Sequence, residues 1–497
     1  MTSSKSSQKR ANKVSFKIVS EFDLFYHLTY MSAMSSAGIS RSKTFELAAE
    51  ARTEAAVYFV AINQLVNELR FDYPEACRRV GTAAKSKNMR SFLLRMSDAL
   101  RSGEPLSEFL TREASVMSTA YENNYERKIE TLKQWSNAFS SVVISVALII
   151  IIQIISAMIY SMDLGAMTGM VIAGIMLSSF AAWIIWRSAP AESMVIKLGK
   201  GRGSKKQQRT ERLFRLVMPL CAMVIAVLSV MGVEVGVQLL IISFMLVPVG
   251  LAGFRADNLR VAQDDDFSQF LRSTGSMAAS SGTTVNEALL RLDLSSFPSL
   301  EDDIERLNKR LKARIDPMLC WRQFGLDTGS KLISEVVEIF YGGVLIGGAP
   351  EVVGYTCSLF VAKVTQLRAK RRLVTGTFSA LTTIMQAIVA GLMVFVMAIV
   401  NNFAIMVKDI MPSGDAAAEA QQSVNMGMAQ FTDAQLAQLA AMTSLMVVVM
   451  AFVGAAAIIL SDGGYKLKAT FYVALMMFIS SICMLVVPPM VAGMLTN

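Results

Sequence analysis

A single histidine, His27, and five cysteines without a C-x-x-C pair leave little for ligand chemistry. The cysteines, Cys77, Cys221, Cys320, Cys357 and Cys483, are scattered, and two fall inside apolar runs, which argues against both a disulfide framework and a zinc site. His27 lies beside Leu28 in a helical stripe and reads as a core or rim histidine, because a triad built on it would need partners that the sequence does not offer. No G-x-x-x-x-G-K-[ST] occurs, so no Walker loop hydrolyses a nucleotide. Leu198-Gly-Lys-Gly-Arg-Gly-Ser204 has neither the spacing nor the preceding strand of a phosphate cradle and reads as a flexible basic linker. Asp264-Asp-Asp266 is expected to open a helix, its carboxylates facing free N–H groups, rather than to hold a cation. No catalytic, cofactor-binding or metal-binding residue is assigned, and no cofactor is called for.

The most informative absence is of charge. Seven long apolar runs, Ala138–Tyr160, Leu164–Trp186, Leu216–Val233, Val235–Phe254, Thr377–Val400, Leu436–Leu460 and Ala469–Val487, contain no Lys, Arg, Asp, Glu or His. Each is long enough, or nearly so, to cross roughly 30 Å of hydrocarbon. With 53% hydrophobic residues and a mean hydropathy of +0.45, the chain belongs in a membrane. The third run is short and contains Pro219, so the pair around Glu234 has a re-entrant hairpin as its alternative. Pro488-Pro489 is expected to break the seventh helix near its outer end. Placing the N-terminus in the cytoplasm and the C-terminus outside leaves one basic residue, Lys408, of the 48 in the chain on the outer side.

Between these runs the chain repeats. Pro74-Glu-Ala-Cys77-Arg-Arg79 returns 243 residues later as Pro317-Met-Leu-Cys320-Trp-Arg322, and the same offset carries Asp23 and Leu28 onto Asp266 and Leu271. Gly38 pairs with Gly282 at 244, and Gly103-Glu-Pro105 with Gly348-Ala-Pro350 at 245. Both copies show helical periodicity: Leu24, Leu28, Met31 and Met34 make one stripe in the first, and Ile304, Leu307, Leu311 and Ile315 another in the second, with Glu305 and Lys309 as an exposed pair. The first copy predicts a bundle of about five or six helices, with the Asp72–Tyr73 region capping the Pro74 helix. Cys77 and Cys320 read as small buried residues at matching core positions.

The expected fold is all-α, a polytopic membrane protein with two tandem cytoplasmic helical bundles and about seven membrane helices. Its layout is a disordered tail over 1–20, a first cytoplasmic domain over 21–137, a membrane hairpin over 138–186, a basic linker over 187–215, a second hairpin over 216–254, a second cytoplasmic domain over 255–375, and three membrane helices over 376–497 with an external segment at about 401–435. Basic clusters at Arg78-Arg79, Lys200–Arg209 and Arg368–Arg372 make the cytoplasmic side positive, suited to anionic lipid and an acidic protein partner. No nucleic-acid-binding motif accompanies the charge.

The duplicated bundle, with a G-x-P near the end of each copy (Gly103-Glu-Pro105 and Gly348-Ala-Pro350) and membrane helices after it, resembles the type II secretion F-domain family, the platform proteins of type II secretion, type IV pili and archaella. The two-copy arrangement is most similar to the archaeal platforms of the archaellum or type IV pilus. That resemblance implies a non-enzymatic protein that anchors a hexameric cytoplasmic secretion ATPase and passes pilin-like or archaellin-like subunits into a filament; a homo-oligomer, expected to be a dimer, follows from the common two-fold pairing of membrane oligomers. Arg78, Arg79, Arg322, Lys370, Arg371 and Arg372 are the candidate partner-binding residues. The competing class is a polytopic transporter or channel, which would carry ionisable groups at membrane depth and often an inverted repeat; neither occurs in the runs.

Overall fold

The computed structural model describes residues 16, 18–159, 164–190, 192, 194–196, 204–410 and 433–495. Sixteen α-helices follow one another among them. The first six are α1 (Glu21–Ser35), α2 (Arg41–Glu50), α3 (Ala56–Leu69), α4 (Tyr73–Ala83), α5 (Lys87–Ser102) and α6 (Leu106–Ile159). Next come α7 (Leu164–Ser188), α8 (Lys205–Val230), α9 (Val235–Ser281), α10 (Val285–Arg291), α11 (Glu301–Lys312), α12 (Pro317–Thr328) and α13 (Lys331–Leu345). The last three are α14 (Pro350–Ile410), α15 (Asp433–Asp462) and α16 (Ala469–Leu495). They form two compact units, the first made of Met1–Arg127, Ile196–Ser204 and Leu259–Arg368, the second of Lys128–Val195, Lys205–Asn258 and Ala369–Asn497.

Several boundaries expected from the sequence fall inside helices. Those at 137/138, 254/255 and 375/376 lie within α6, α9 and α14, because a polar helix that meets an apolar one in phase needs no break in its hydrogen-bond ladder. The basic stretch 187–215 is not all linker, since α7 reaches Ser188 and α8 begins at Lys205. Its residues 200–203 lie outside the described residues. Within the tail expected over 1–20, Phe16 stacks on Tyr58 at 4.6 Å, Val19 is buried, and Ser20 caps α1 by accepting from Asp23 N; residues 1–15 lie outside the described residues. Likewise α14 continues through 401–410, and 411–432 lie outside the described residues.

In the first unit the duplication is visible turn by turn, in a register of 244. Ser40 and Thr284 cap α2 and α10, and Asp72 and Asp316 cap α4 and α12. Arg70 (φ 56°) and Arg314 (φ 58°) are the two non-glycine residues in the left-handed region among the described residues, each ending the helix before the proline helix. Gly103 matches Gly347, not Gly348: both have positive φ, and the N–H of the next residue, Glu104 or Gly348, returns to Ala99 O or Gly343 O. The prolines and cysteines have shifted by one. Pro74 is the second residue of α4 and Pro317 the first of α12, while Pro105 precedes α6 and Pro350 opens α14. Proline is tolerated at any of these first positions, where its missing N–H costs no helix bond, so it does not fix the register; the left-handed turn does. Cys77 consequently aligns with Trp321, and Cys320 with Ala76, all four buried.

The two copies are not separate bundles. Phe25 of the first packs on Phe360 of the second at 4.6 Å, Tyr26 Oη donates to Glu335 O at 3.0 Å, and Lys363 Nζ lies 2.9 Å from Glu122 Oε2. The expected stripe of α1 is buried in full, whereas that of α11 is buried at Ile304 and Leu307 and only partly at Leu311, because the helix ends at Lys312 and Ile315 is 46% exposed. Glu305 and Lys309 pair at 2.8 Å.

The second unit carries the apolar length of the chain, and among the described residues seven helices are long and apolar enough to cross a membrane. α8 is one helix of 26 residues through Pro219, about 39 Å at 1.5 Å per residue, so it has the length to span fully. α16 runs unbroken through Pro488-Pro489 to Leu495. Stopping there would expose more unpaired backbone to hydrocarbon than the two N–H groups that proline removes. Small residues let these helices approach: a Cβ on Gly174 would sit 2.8 Å from Val146, and one on Gly250 2.6 Å from the Phe471 backbone. At Gln386 the carboxamide of α14 donates to Val447 O of α15 at 3.1 Å and to Ser480 Oγ of α16 at 3.0 Å, joining three helices through one side chain.

Candidate functional site

The apolar face of α4, Ala76, Cys77, Val80 and Gly81, is buried, which turns Arg78 and Arg79 outward. Arg79 is engaged: its Nε is 2.9 Å from Glu75 Oε1 and its guanidinium lies 4.0 Å above the Phe71 ring. That hydrogen bond holds the Glu75 carboxyl below its ordinary value. Arg78 is exposed and makes no ion pair among the described residues, its charge acting only at longer range on Glu75. In α12 the buried face is Cys320, Trp321, Phe324 and Gly325, and Arg322 is exposed and likewise without an ion pair. In the observed register Arg78, not Arg79, is the counterpart of Arg322, so the duplication presents one exposed guanidinium at the same helical position twice. Both neighbouring thiols are buried; burial pushes Cys77 up to about 12 and raises Cys320 as well, which leaves them unreactive.

The cluster at Lys370–Arg372 behaves otherwise. Arg371 is 1% exposed and donates to Ser461 O at 2.8 Å and Pro190 O at 3.1 Å, so its guanidinium is occupied within the chain. Arg372 reaches Asp257 at 3.5 Å, and Lys370 is half-buried with its own interactions. Asp257, fully buried, also takes Lys468 Nζ at 3.3 Å and Tyr465 N at 3.2 Å, while Asp462 takes the same Lys468 at 3.0 Å. Gly463 closes the turn with φ 68°, and a Cβ there would lie 2.5 Å from Arg371 Nη2. This knot ties the α15–α16 turn to α9 and α14, and its burial is affordable because every charge has an opposite partner or a carbonyl. Charge counting on the sequence treats such residues as surface, which is why Asp257, Asp462 and Lys468 escaped it.

Asp264-Asp-Asp266 is not a helix start; it sits deep inside α9. Asp264 accepts from Ser330 Oγ and from Arg368 Nη1 at 2.9 Å, with Arg260 at 3.7 Å. Asp266 accepts from Ser299 N at 3.1 Å, the task that Asp23 performs for Ala55 N at 3.0 Å in the first copy. The first copy also keeps the Asp264–Arg368 tie in a milder form, as Asn124 donating to Glu21. His27 is fully buried, its Nδ1 2.7 Å from Thr53 Oγ1 and its ring 4.7 Å from that of Phe59, and burial lowers it to about 3. It is a neutral core histidine.

The elements that present Arg78, from α1 into the membrane part of α6, are the part of the chain that comparison recognises. Residues 28–155 match the family of type II secretion system (T2SS), protein F. The F-domain resemblance read from the residues is thereby borne out. Beyond the F domain, the chain is 25% identical over 373 residues, 70% of its length and 64% of the relative's, to Flagella accessory protein J of Methanocaldococcus jannaschii. It is also 25% identical over 305 residues, 60% of its length and 55% of the relative's, to Flagella accessory protein J of Methanococcus voltae. The chain thus spans less than two thirds of the length of these curated relatives. No solved structure matches it. The F-domain match ends before the second copy, which the 244-residue register identifies.

Proposed function

We propose that this multi-pass membrane protein is the platform of an archaellum or related type IV filament assembly machine, non-enzymatic itself, with the N-terminus and both repeat copies in the cytoplasm and the C-terminus outside. It anchors a hexameric secretion ATPase and couples its cycle to the insertion of pilin-like subunits. The likeness to Flagella accessory protein J over most of the chain, together with the F domain, carries this reading. The repeated exposed arginines fit it: a ring-shaped partner meets the platform with more than one of its identical subunits, and Arg78 and Arg322 offer the same contact twice. Coupling requires that the partner bind differently in its nucleotide states.

The test is binding of the full chain in nanodiscs to the cognate ATPase across a salt series. Arg78→Glu with Arg322→Glu is expected to weaken binding at least tenfold and to flatten its salt dependence, since exposed charges act within a Debye length of about 8 Å at physiological salt. Wild-type affinity and salt slope in a folded double variant would remove these arginines from the docking site.

A further inference from the structure

Gln153 is a buried carboxamide that the fold leaves unanswered at both ends. It is 6% exposed, and neither its Oε1 nor its Nε2 has a hydrogen-bond partner among the described residues. It lies in the first apolar run, which carries no charge, about 9 Å before the end of α6 at Ile159. The same helices satisfy their other buried polar groups. Gln386 is bonded to Val447 O and Ser480 Oγ, and Ser178 and Thr443 each donate at 2.8 Å to the carbonyl four residues back, Gly174 O and Leu439 O. A glutamine unpaired at both ends in hydrocarbon is the costly exception.

The space beside it is shaped. Gln153 lines a partly open cavity of about 270 Å³ between α6, α7 and α15. Ile150 and Ile154 of α6, Val171 of α7, and Leu439 and Met442 of α15 make its apolar wall, and Thr443 is its second polar residue. Beside the cavity the same three helices close on one another: a Cβ on Gly174 would lie 2.8 Å from Val146 and 3.5 Å from Ile150 and Met446. That close approach gives the recess a floor.

The geometry points to a site for the hydroxyl of an uncharged aliphatic amphiphile, its oxygen on Gln153 and its stem along the apolar wall. The carboxamide offers two N–H donors and a carbonyl acceptor, and Thr443, its proton spent on Leu439 O, offers a second acceptor. A hydroxyl answers both kinds of group, accepting from Nε2 and donating to Oε1 or to Thr443 Oγ1. An ether or carbonyl oxygen only accepts, so it leaves Oε1 unpaired. A carboxylate or an ammonium would enter without a counter-charge, because no residue of the wall is charged. Water alone could make the same bonds, but it would leave the aliphatic wall bare, whereas a stem regains the contacts that an empty recess forfeits.

The experiment is photolabelling of the full chain in nanodiscs with a diazirine-bearing octanol and, in parallel, its methyl ether, mapped peptide by peptide. The octanol is expected to insert at Ile150, Val171 or Met442, to be displaced by excess plain octanol, and to exceed the ether there about tenfold, the worth of one hydrogen bond at membrane depth. Gln153→Leu should bring the alcohol down to the level of the ether, and Val171→Phe, which fills the recess and keeps Gln153, should remove both. The ratio of alcohol to ether is read on the wild-type chain, so it stands even if a variant misfolds. Equal labelling by alcohol and ether overturns the proposal. So does alcohol found only on the outward Ile149 and Ile152, 54% and 62% exposed, which would mean that the recess holds water alone. Labelling that survives Gln153→Leu undiminished removes Gln153 from the site. None of these readouts involves an ATPase or a filament, so the recess and the platform role can fail separately.

Discussion

Asp264→Asn isolates how much the first unit depends on one buried carboxylate. Asp264 is 2% exposed, with Arg368 at 2.9 Å and Arg260, also 2% exposed, at 3.7 Å. The asparagine keeps the shape and an acceptor for Ser330 but removes the negative charge that faces both guanidiniums in the interior. Removing one member of such a buried group costs about 3–5 kcal/mol. For a unit of this size each kcal/mol lowers the midpoint by roughly 2–4 °C, so the expected fall is about 6–20 °C. The first unit carries its own reporters, since Cys77, Cys320 and Cys357 are at most 1% exposed. Maleimide labelling of these thiols against temperature, read peptide by peptide in full-length protein in nanodiscs, follows its opening. Glu21→Gln, the matching change in the first copy, removes a tie to a neutral amide at a half-buried site and should cost only about 1 kcal/mol. Asp264→Leu with Arg368→Met should recover part of the loss, because it removes both a charge and its partner. An Asp264→Asn midpoint within about 2 °C of wild type would refute the claim that this carboxylate compensates the arginines.

Acidification tests His27. Its protonation is suppressed to about 3 when folded, against 6.5 as a free side chain, so the unfolded chain binds the extra proton. Stability is therefore full above pH 6.5 and falls by about 1.4 kcal/mol per pH unit between there and pH 3. His27→Phe, which keeps the contact with Phe59, should remove that slope in thermal melts between pH 6 and 4, and an unchanged slope refutes the assignment. Gly354→Ala would place a Cβ 2.8 Å from Leu271 O and is expected to cost about 1–3 kcal/mol by the same labelling, whereas Gly376→Ala, with nothing within 4 Å, should be neutral. Equal effects at the two glycines would contradict the close helix crossing.

The membrane helices were legible because hydrocarbon imposes a simple rule on composition, and the seven runs reappear as seven helices. The repeat was legible too, but its register was read from proline and cysteine, which several helix positions accept, instead of from Gly103 and Gly347, where only a left-handed turn fits. Helix ends were misplaced wherever a polar segment and an apolar one share a continuous ladder, as in α6, α9 and α14. At the candidate site, Arg78 and Arg322 were found as charges on the outer face of short amphipathic helices. The burial of Arg371 was not legible because nothing local distinguishes an arginine bonded to a buried turn from one in solvent; its partners, Ser461 and Pro190, are distant in sequence.

The carboxamide of Gln386 also sets an order of events during synthesis. Its two acceptors lie 61 and 94 residues downstream, so when α14 first enters the bilayer neither exists. Until α15 and then α16 have emerged, the side chain must stay near water, the insertion machinery or another helix, and α14 cannot adopt its final depth and rotation in lipid. The C-terminal helix therefore finishes the placement of a helix made long before it, and a chain cut off ahead of Ser480 keeps only one of the two acceptors, Val447 O.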